Sequence, residues 1–520
     1  MPKNHKKPTV LIILDGWGVA PPGPGNAVTL AKTPTMTALW NEFPHTLLSA
    51  HGKSVGLPGN QEGNSEAGHM NLSAGWIVKQ DAVYVNEGIK DGTFFKNTAF
   101  LEAMGHVKKY NSKVHVMGLL SNGESAHSFP DHLYAVLDLL HKHETKKIFL
   151  HLFTDGRDSS RFAAIKLLPK LRTHFHNNEK IATIMGRFYA MDRIKIWSRI
   201  EAAYNAMVMG HGMVAESAEA AIASAYNRGE TDEFILPTVI AHDHKPLATI
   251  DDNDVIIFFN LRSDRAREIT KTFVQKDFTR KNPGSFKRKK IAQNIRFVAL
   301  TDFGPDLPHI LTAYPSREIF SALPAVFRDK KQIYIAEAEK YAHVTYFFNG
   351  GNADPIYGEE RIRIPSSAAA HYEEKPEMNA EKVATEVRRC VDSGRYDFIA
   401  VNFCNPDMIG HTGDLSAGIK AVETVDACIG KIIRGVFRMD GTAIVTADHG
   451  NIEEMINDKS GEVNTEHSIN PVPLIIAGPR FKNLKRKKLR GGVLADVAPT
   501  VLDVMGITTP REMTRKSLLA

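Results

Sequence analysis

Cysteine is nearly absent: three residues in 520, Cys390, Cys404 and Cys428, an odd number set in segments that read as helix or strand. This excludes a disulfide framework and points to reduced, intracellular thiols. Long apolar runs are missing too. The first one, residues 10–14, follows a basic start (Lys3, Lys6, Lys7) and is cut short by Asp15. A signal peptide needs a longer apolar core, and no segment approaches a membrane span, so a cytoplasmic protein without a membrane partner is expected. Charge of one sign is also scarce, since a net +6 is modest for this length. Much of it sits in two KRKK runs, 287–290 and 485–488, which lack interleaved aromatics or a recognisable nucleic-acid module. They read as solvated loop charge, and no nucleic-acid partner is expected. Short tandem repeats are absent as well. What remains, 43% apolar and 24% charged over 520 residues, is a globular chain too long for one core, and two domains are predicted.

The run TVLIILDGWG predicts a buried strand that delivers Asp15 to a loop at its carboxyl end. The same grammar recurs near the C-terminus. Helical spacing over 379–391 stops at Gly394 and the strand DFIAVNF follows. A helix over 415–437 puts Ile419, Val422, Val425, Ile429, Ile432 and Val436 on one face, then TAIVTA ends at Asp448-His449-Gly450, and PVPLIIAG is a further strand. Such alternation predicts a parallel sheet covered on both faces. In the middle, KVHVMGLLS, KIFLHLFTDG, KIATIMGR, DVIIFFNLR and RFVALTDF predict a second α/β sheet inserted between the two parts of the first. Hinges are expected near 79–82 and 303–311, giving domains over 1–79 with 309–520, and over 80–308.

GNSEAGH, from Gly63 to His69, sets Ser65 among small and polar residues just after a turn-rich stretch, and predicts a nucleophile on an open loop. Its G-x-S-x-x-G spacing does not fit the elbow of α/β-hydrolases. A hydroxyl needs a base or a metal ion to become a nucleophile at neutral pH. Three strands of the outer segments end in suitable groups: Asp15, then Asp407 with His411, then Asp448 with His449, while His467 stands just before another strand. Alone, Asp15-Gly16 reads as a turn and the Asp407/His411 pair as a helix cap. Together at one sheet edge they form a mixed oxygen and nitrogen set that suits two divalent ions such as manganese or zinc. The middle segment brings Arg157, Arg187, Arg193, Arg262 and Arg265 to its strand ends, as expected for a small polyanion. Asp158 and His127 share that edge and can handle protons. Lys340 lies past the second hinge, where it is expected to reach phosphate between the domains.

In this order, LDGWG, GNSEAGH, DGRD, GRFYAMDR, FFNLRSDRAREIT, EKYAHVTYFFNGG, NPDMIGHTG, TADHGN and EMTRKSL closely resemble the cofactor-independent phosphoglycerate mutases, over nearly the whole chain. The resemblance implies an α/β fold with a discontinuous, alkaline phosphatase-like metal-binding domain and an inserted substrate-binding (transferase) domain. It implies interconversion of 3-phosphoglycerate and 2-phosphoglycerate, in glycolysis and gluconeogenesis, through a phosphoserine on Ser65 and without 2,3-bisphosphoglycerate. Two divalent ions, manganese by expectation, would be held by Asp407, His411 and His467, and by Asp15, Ser65, Asp448 and His449. The substrate site would use His127, Arg157, Asp158, Arg187, Arg193, Arg262, Arg265 and Lys340. Asp158 would act as acid and base, and Lys340 would stabilise phosphoryl charge. Domain closure would exclude water, and the protein would be a monomer. The chain departs from the family pattern at Phe129, where a histidine is usual, at Trp76 in place of an arginine, and at Ile469 in place of a polar residue. One residue is also added before His127, and 280–290 is longer and more basic than usual. The alternative is a metal-dependent phosphomonoesterase or phosphopentomutase, which would share the metal set but lack this arginine arrangement.

Overall fold

The computed structural model describes residues 6–519 apart from 60, 124, 244, 305, 318, 367–370, 458–460 and 485–488. Lys3 and the second KRKK run lie outside the described residues. The chain divides into two units, Met1–Gln80 with Arg317–Ala520, and Asp81–Ser316. The second boundary falls beyond the expected 308, because Ile310–Tyr314 pairs in parallel with Arg296–Thr301 as the edge strand of the inserted unit. No helix among the described residues is long and apolar enough to cross a membrane.

In the first unit the strands lie in the order Glu360–Ile364, Gln332–Glu337, Phe398–Phe403, Thr9–Leu14, Thr442–Thr446, Val472–Ala477, His45–Ser49 and Gly492–Val493. The first five run parallel. Every residue of Thr9–Leu14, Gln332–Glu337, Phe398–Phe403 and Thr442–Thr446 is buried. That is why these runs are mostly apolar rather than alternating. Leu415–Arg438 covers this sheet, with Val422, Val425, Ile429, Ile432 and Val436 in the core and Ile419 at its margin. Asp414 caps the helix by accepting from the Ala417 amide.

One expectation is corrected here. Val472–Ala477 runs antiparallel to Thr442–Thr446, with Leu474 opposite Thr446. The chain leaves Thr442–Thr446 at its carboxyl end and re-enters the sheet from that same edge. A residue that precedes the returning strand therefore shares an edge with residues that follow the parallel ones.

The inserted unit orders its strands Ile310–Tyr314, Arg296–Thr301, Val255–Phe258, Val114–Leu120, Ile148–Thr154, Glu179–Gly186, Thr238–His242 and Met213–Ala215. The five strands expected from sequence form its continuous parallel centre. Two residues of the first KRKK run are put to internal use: Arg288 donates to the carbonyls of Thr272 and Gln275, at 2.7 and 2.9 Å, and Lys290 donates to that of Val208 at 3.0 Å, while Lys287 and Lys289 are exposed. Phe129 packs against the core of this unit, Trp76 against the small Ala74–Ile319–Ala322 cluster of the first, and Ile469 is exposed.

Two buried histidines cross the inserted sheet. His115 Nδ1 lies 2.9 Å from His151 Nε2, His151 Nδ1 lies 2.9 Å from Thr183 Oγ1, and His115 Nε2 lies 3.2 Å from Asp254 Oδ2. Burial holds both imidazoles below the ordinary histidine value of 6.5. The unfolded chain takes up these protons near that pH and the folded protein refuses them. Stability is therefore complete above it and falls as pH drops below it, by about 1.4 kcal/mol per pH unit for His151, which burial holds well below that value, with His115 adding in the same direction. Urea midpoints should decline between about pH 7.5 and 5.5, and His151→Gln should flatten the decline. Equal slopes for the two proteins would count against this assignment.

Candidate active site

Parallel strands send their carboxyl ends to one edge, and the loops there carry the polar residues of the first unit. Asp15 follows Thr9–Leu14, Asp407 opens the turn after Phe398–Phe403, Asp448 and His449 follow Thr442–Thr446, and Lys340 follows Gln332–Glu337. His467 joins them because its strand runs the other way. Gly16, at φ +74, would place a Cβ 2.8 Å from Asp407 Cα, so glycine is what lets these two loops meet.

Ser65 is not on an open loop. It is the first residue of the helix Ser65–Ala74, 6% exposed, with the Asn64 side chain capping the Ala67 amide. Asn64 is a strong N-cap residue, and the segment after it folds as helix for that reason. Ser65 therefore sits at the positive end of a helix, where amides without intrahelical partners favour an anion. One turn on, a Cβ at Gly68 would lie 2.7 Å from Asp448 Cβ, so this helix rests directly on the Asp448 loop.

Ser65 Oγ donates to Asp15 Oδ1 at 3.2 Å, lies 3.0 Å from His449 Nε2, and accepts from Lys340 Nζ at 2.6 Å. The Lys340 ammonium also reaches Asp15 Oδ1 at 2.8 Å and Asp407 Oδ2 at 2.6 Å. Lys340 thus lies with the serine and the carboxylates, because its strand neighbours Phe398–Phe403 and ends at the same edge. Burial opposes its charge, yet Asp15, Asp407 and Asp448 outweigh burial and hold its pKa above the ordinary lysine value. Burial, reinforced by Asp448, lifts Asp15 to about 7, and burial lowers His449 to about 3.

His449 Nε2 lies 3.5 Å from Asp15 Oδ1, 3.6 Å from Asp448 Oδ2 and 3.9 Å from Asp407 Oδ1. Asp407 Oδ1 is 3.1 Å from His467 Nε2 and 3.4 Å from His411 Nε2, and those two nitrogens are 3.1 Å apart. The opposite ring nitrogens face carbonyl oxygens: His411 Nδ1 to Thr465 at 2.7 Å, His467 Nδ1 to Gly63 at 2.8 Å and His449 Nδ1 to Gly450 at 3.3 Å. A carbonyl only accepts, so each neutral ring keeps its proton on Nδ1 and turns an Nε2 lone pair to the carboxylates. Lone pairs gathered at this spacing fit divalent cations. Asp407, His449 and His467 form one set of donors within 4.8 Å of one another, and Asp15, Asp448 and His449 form another. A third set, Glu337, Glu339 and Cys404, is accounted for otherwise, since Glu337 accepts from the Asn379 amide at 3.0 Å and from its side chain at 3.3 Å.

The cluster holds residues that the sequence reading did not single out. His69 Nδ1 lies 3.1 Å from Asp448 Oδ2, Asn402 Nδ2 donates to Asp15 Oδ2 at 2.6 Å, and Asn451 Nδ2 donates to Asp407 Oδ1 at 3.1 Å. A signal for two of them was present. His69 stands one helical turn from Ser65, and Asn402 is polar inside an apolar strand.

In the inserted unit the expected residues gather beyond the carboxyl ends of its parallel strands. Arg187 is buried and its Nη1 donates to Asp155 Oδ1 at 2.6 Å and Asp158 Oδ2 at 2.7 Å. Ser125 Oγ donates to the same Asp158 oxygen at 2.6 Å. Arg193 Nη1 lies 3.3 Å from Asp264 Oδ2 and Arg262 Nε 3.5 Å from Asp264 Oδ1. Arg157 is half exposed and lies 3.7 Å from Glu233. Burial lowers the Arg265 pKa, and the charges of Arg187, Arg193 and Arg157 add to the effect, so four guanidinium groups share one field. His127 is buried with its Nδ1 unpartnered, and burial followed by Arg187 lowers it to about 3, leaving a neutral ring. Crowded arginines beside a neutral histidine make a site for an anion.

A parallel sheet that gathers carboxylates, imidazoles and a serine at its carboxyl edge defines a metal-dependent enzyme, and residues 7–509 match the Metalloenzyme superfamily. The chain is a divalent-metal-binding enzyme of that class. It is 46% identical to the 2,3-bisphosphoglycerate-independent phosphoglycerate mutases of Clostridium novyi and of Clostridioides difficile, over 99% of each chain in both cases. A crystal structure of Leishmania mexicana phosphoglycerate mutase at low cobalt concentration matches it with a TM-score of 0.76 and 30% identity, over 99% of this chain and 98% of that one. The chain belongs to the 2,3-bisphosphoglycerate-independent phosphoglycerate mutases. It interconverts 3-phosphoglycerate and 2-phosphoglycerate, a step of glycolysis.

Proposed function

We propose that the phosphoryl group passes through a covalent phosphoserine at Ser65, with two manganese ions at the carboxyl edge of the first sheet. Asp407, His411 and His467 would hold one ion, and Asp15, Ser65, Asp448 and His449 the other. Bound there, divalent ions neutralise phosphoryl oxygens and lower the pKa of a hydroxyl. The observation that carries this reading is the setting of Ser65 Oγ: buried, at a helix N-terminus, and in reach of Asp15, His449 and Lys340 at once. As Oγ forms its bond to phosphorus, the bond to the glycerate oxygen breaks, and Asp15 is placed to take the hydroxyl proton. Lys340 meets the charge on the oxygens beside Ser65. Asp158, oriented by Arg187 and Ser125, exchanges protons with the glycerate hydroxyls, first at one carbon and then at the other. Arg157, Arg193, Arg262, Arg265 and His127 hold the carboxylate and phosphate of the substrate.

The first unit is thus read as the metal-binding domain and the inserted unit as the substrate domain. The protein is proposed to work in the cytoplasm as a monomer, without nucleic acid or membrane. Three buried, unpaired cysteines and the internal use of Arg288 and Lys290 in the first basic run support this.

Assayed with 3-phosphoglycerate and no bisphosphoglycerate, the purified protein should turn substrate over, lose activity to a chelator and regain it with manganese. Acid-quenched enzyme should carry phosphate on Ser65 by mass spectrometry. Inorganic phosphate as the main product would make it a phosphomonoesterase instead.

A further inference from the structure

His69 and Asn402 have no part in the chemistry described above, yet both are completely buried within the cluster. A polar side chain taken wholly out of water costs free energy unless its hydrogen bonds are made, so the bonds these two make deserve an account. Asn402 Nδ2 donates to Asp15 Oδ2 at 2.6 Å and lies 3.1 Å from His69 Nε2. Its Oδ1 is buried without a partner. The Asp15 carboxylate accepts from Nδ2, which fixes the orientation of the amide. His69 Nε2 must then be a lone pair, which puts the ring proton on Nδ1. That proton goes to the Ser65 carbonyl oxygen, 2.9 Å away, while Asp448 Oδ2, buried without a hydrogen bond of its own, lies 3.1 Å from Nδ1 in charge contact. The His343 ring covers His69 from one side, with centroids 5.6 Å apart.

We infer that His69 and Asn402 are positioning residues: hydrogen bonds run from Asp15 through Asn402 and His69 to the first turn of the Ser65 helix, and the charge contact of His69 with Asp448 sets the second carboxylate against that relay. Asp448 is held further by the amides of Gly16 and His449, which donate to Oδ1 at 3.2 and 3.1 Å. The relay touches Asp15 and Asp448, while Asp407 is bonded by Asn451 and His467 by the Gly63 carbonyl, and the two donor sets share His449 alone. It therefore bears directly on the ion of Asp15 and Asp448. This inference rests on the two-ion reading of the site.

The test is a calorimetric titration of metal-free full-length protein with manganese, resolving two binding steps. His69→Leu and Asn402→Asp should each weaken one step by about 10- to 100-fold and leave the other within about twofold. The second variant keeps shape and puts an acceptor against Asp15. His69→Asn retains a donor near the Nδ1 position and should recover most of the lost affinity. In steady state the variants should lower kcat at saturating manganese while KM for phosphoglycerate holds. Two unchanged steps in variants that fold would overturn the relay, and so would equal weakening of both steps, which marks a merely structural role. If the wild-type protein itself binds fewer than two ions, it is the two-ion reading that fails.

Discussion

Ser65→Ala should reduce turnover of 3-phosphoglycerate by about 10⁴-fold or more, because groups that act as a unit lose nearly everything when the nucleophile goes. The variant is informative since it should fold. Ser65 is the first helical position, the Asn64 cap remains, and alanine is a good helix former. A thermal midpoint within a few degrees of wild type, together with absent phosphate labelling, identifies the serine oxygen as the phosphoryl carrier. Turnover that survives at more than about a hundredth of the wild-type rate would remove the covalent step, since loss of one supporting group typically costs only 10²–10³.

Lys340→Met carries the second large effect, and it separates charge from chemistry. In the metal-free protein the ammonium sits among three buried carboxylates, Asp15, Asp407 and Asp448. Deleting it leaves those charges uncompensated, and breaking a buried pair in this way costs about 3–5 kcal/mol. The variant should therefore unfold earlier in urea when chelated and recover much of the difference when manganese is added. Even fully loaded with metal, it should turn over about 10²- to 10³-fold slower, because the donor to Ser65 is gone. Full activity in the loaded variant would reduce Lys340 to a counter-charge for the empty site.

The strands of both units were legible because a run such as TVLIIL, apolar at five successive positions, has few other uses in a chain of this composition. Asp15, Asp407, Asp448 and His449 could be assigned to one edge from strand direction alone. His467 could not, since a residue before a parallel strand belongs to the opposite edge. Its place became clear with the antiparallel turn of Val472–Ala477, which no local pattern encodes. The helix that begins at Ser65 was hidden by the density of glycine and polar residues in GNSEAGH, although Asn64 marked its start. His69 and Asn402 were missed for a different reason. What they do depends on partners hundreds of residues away, as with the 387 positions between Asn402 and Asp15. The short strands at the sheet margins, such as Met213–Ala215, are too brief to carry a period.

Thr9–Leu14 sits at the centre of its sheet, yet its two neighbours are Phe398–Phe403 and Thr442–Thr446. On the ribosome this strand emerges before the inserted unit and finds its partners only after it. At about 5–20 residues per second, the stretch from Leu14 to Phe398 takes roughly 20–80 s to synthesise. During that interval the inserted unit, Asp81–Ser316, is complete and has its own core. The five apolar residues of Thr9–Leu14 are meanwhile an unpaired β-segment of the kind that recruits other chains, flanked by Lys6, Lys7 and Asp15 as charged gatekeepers. A nascent chain stalled before residue 398 is therefore folded in its inserted unit and sticky at Thr9–Leu14, and translation speed through the inserted unit becomes a determinant of yield.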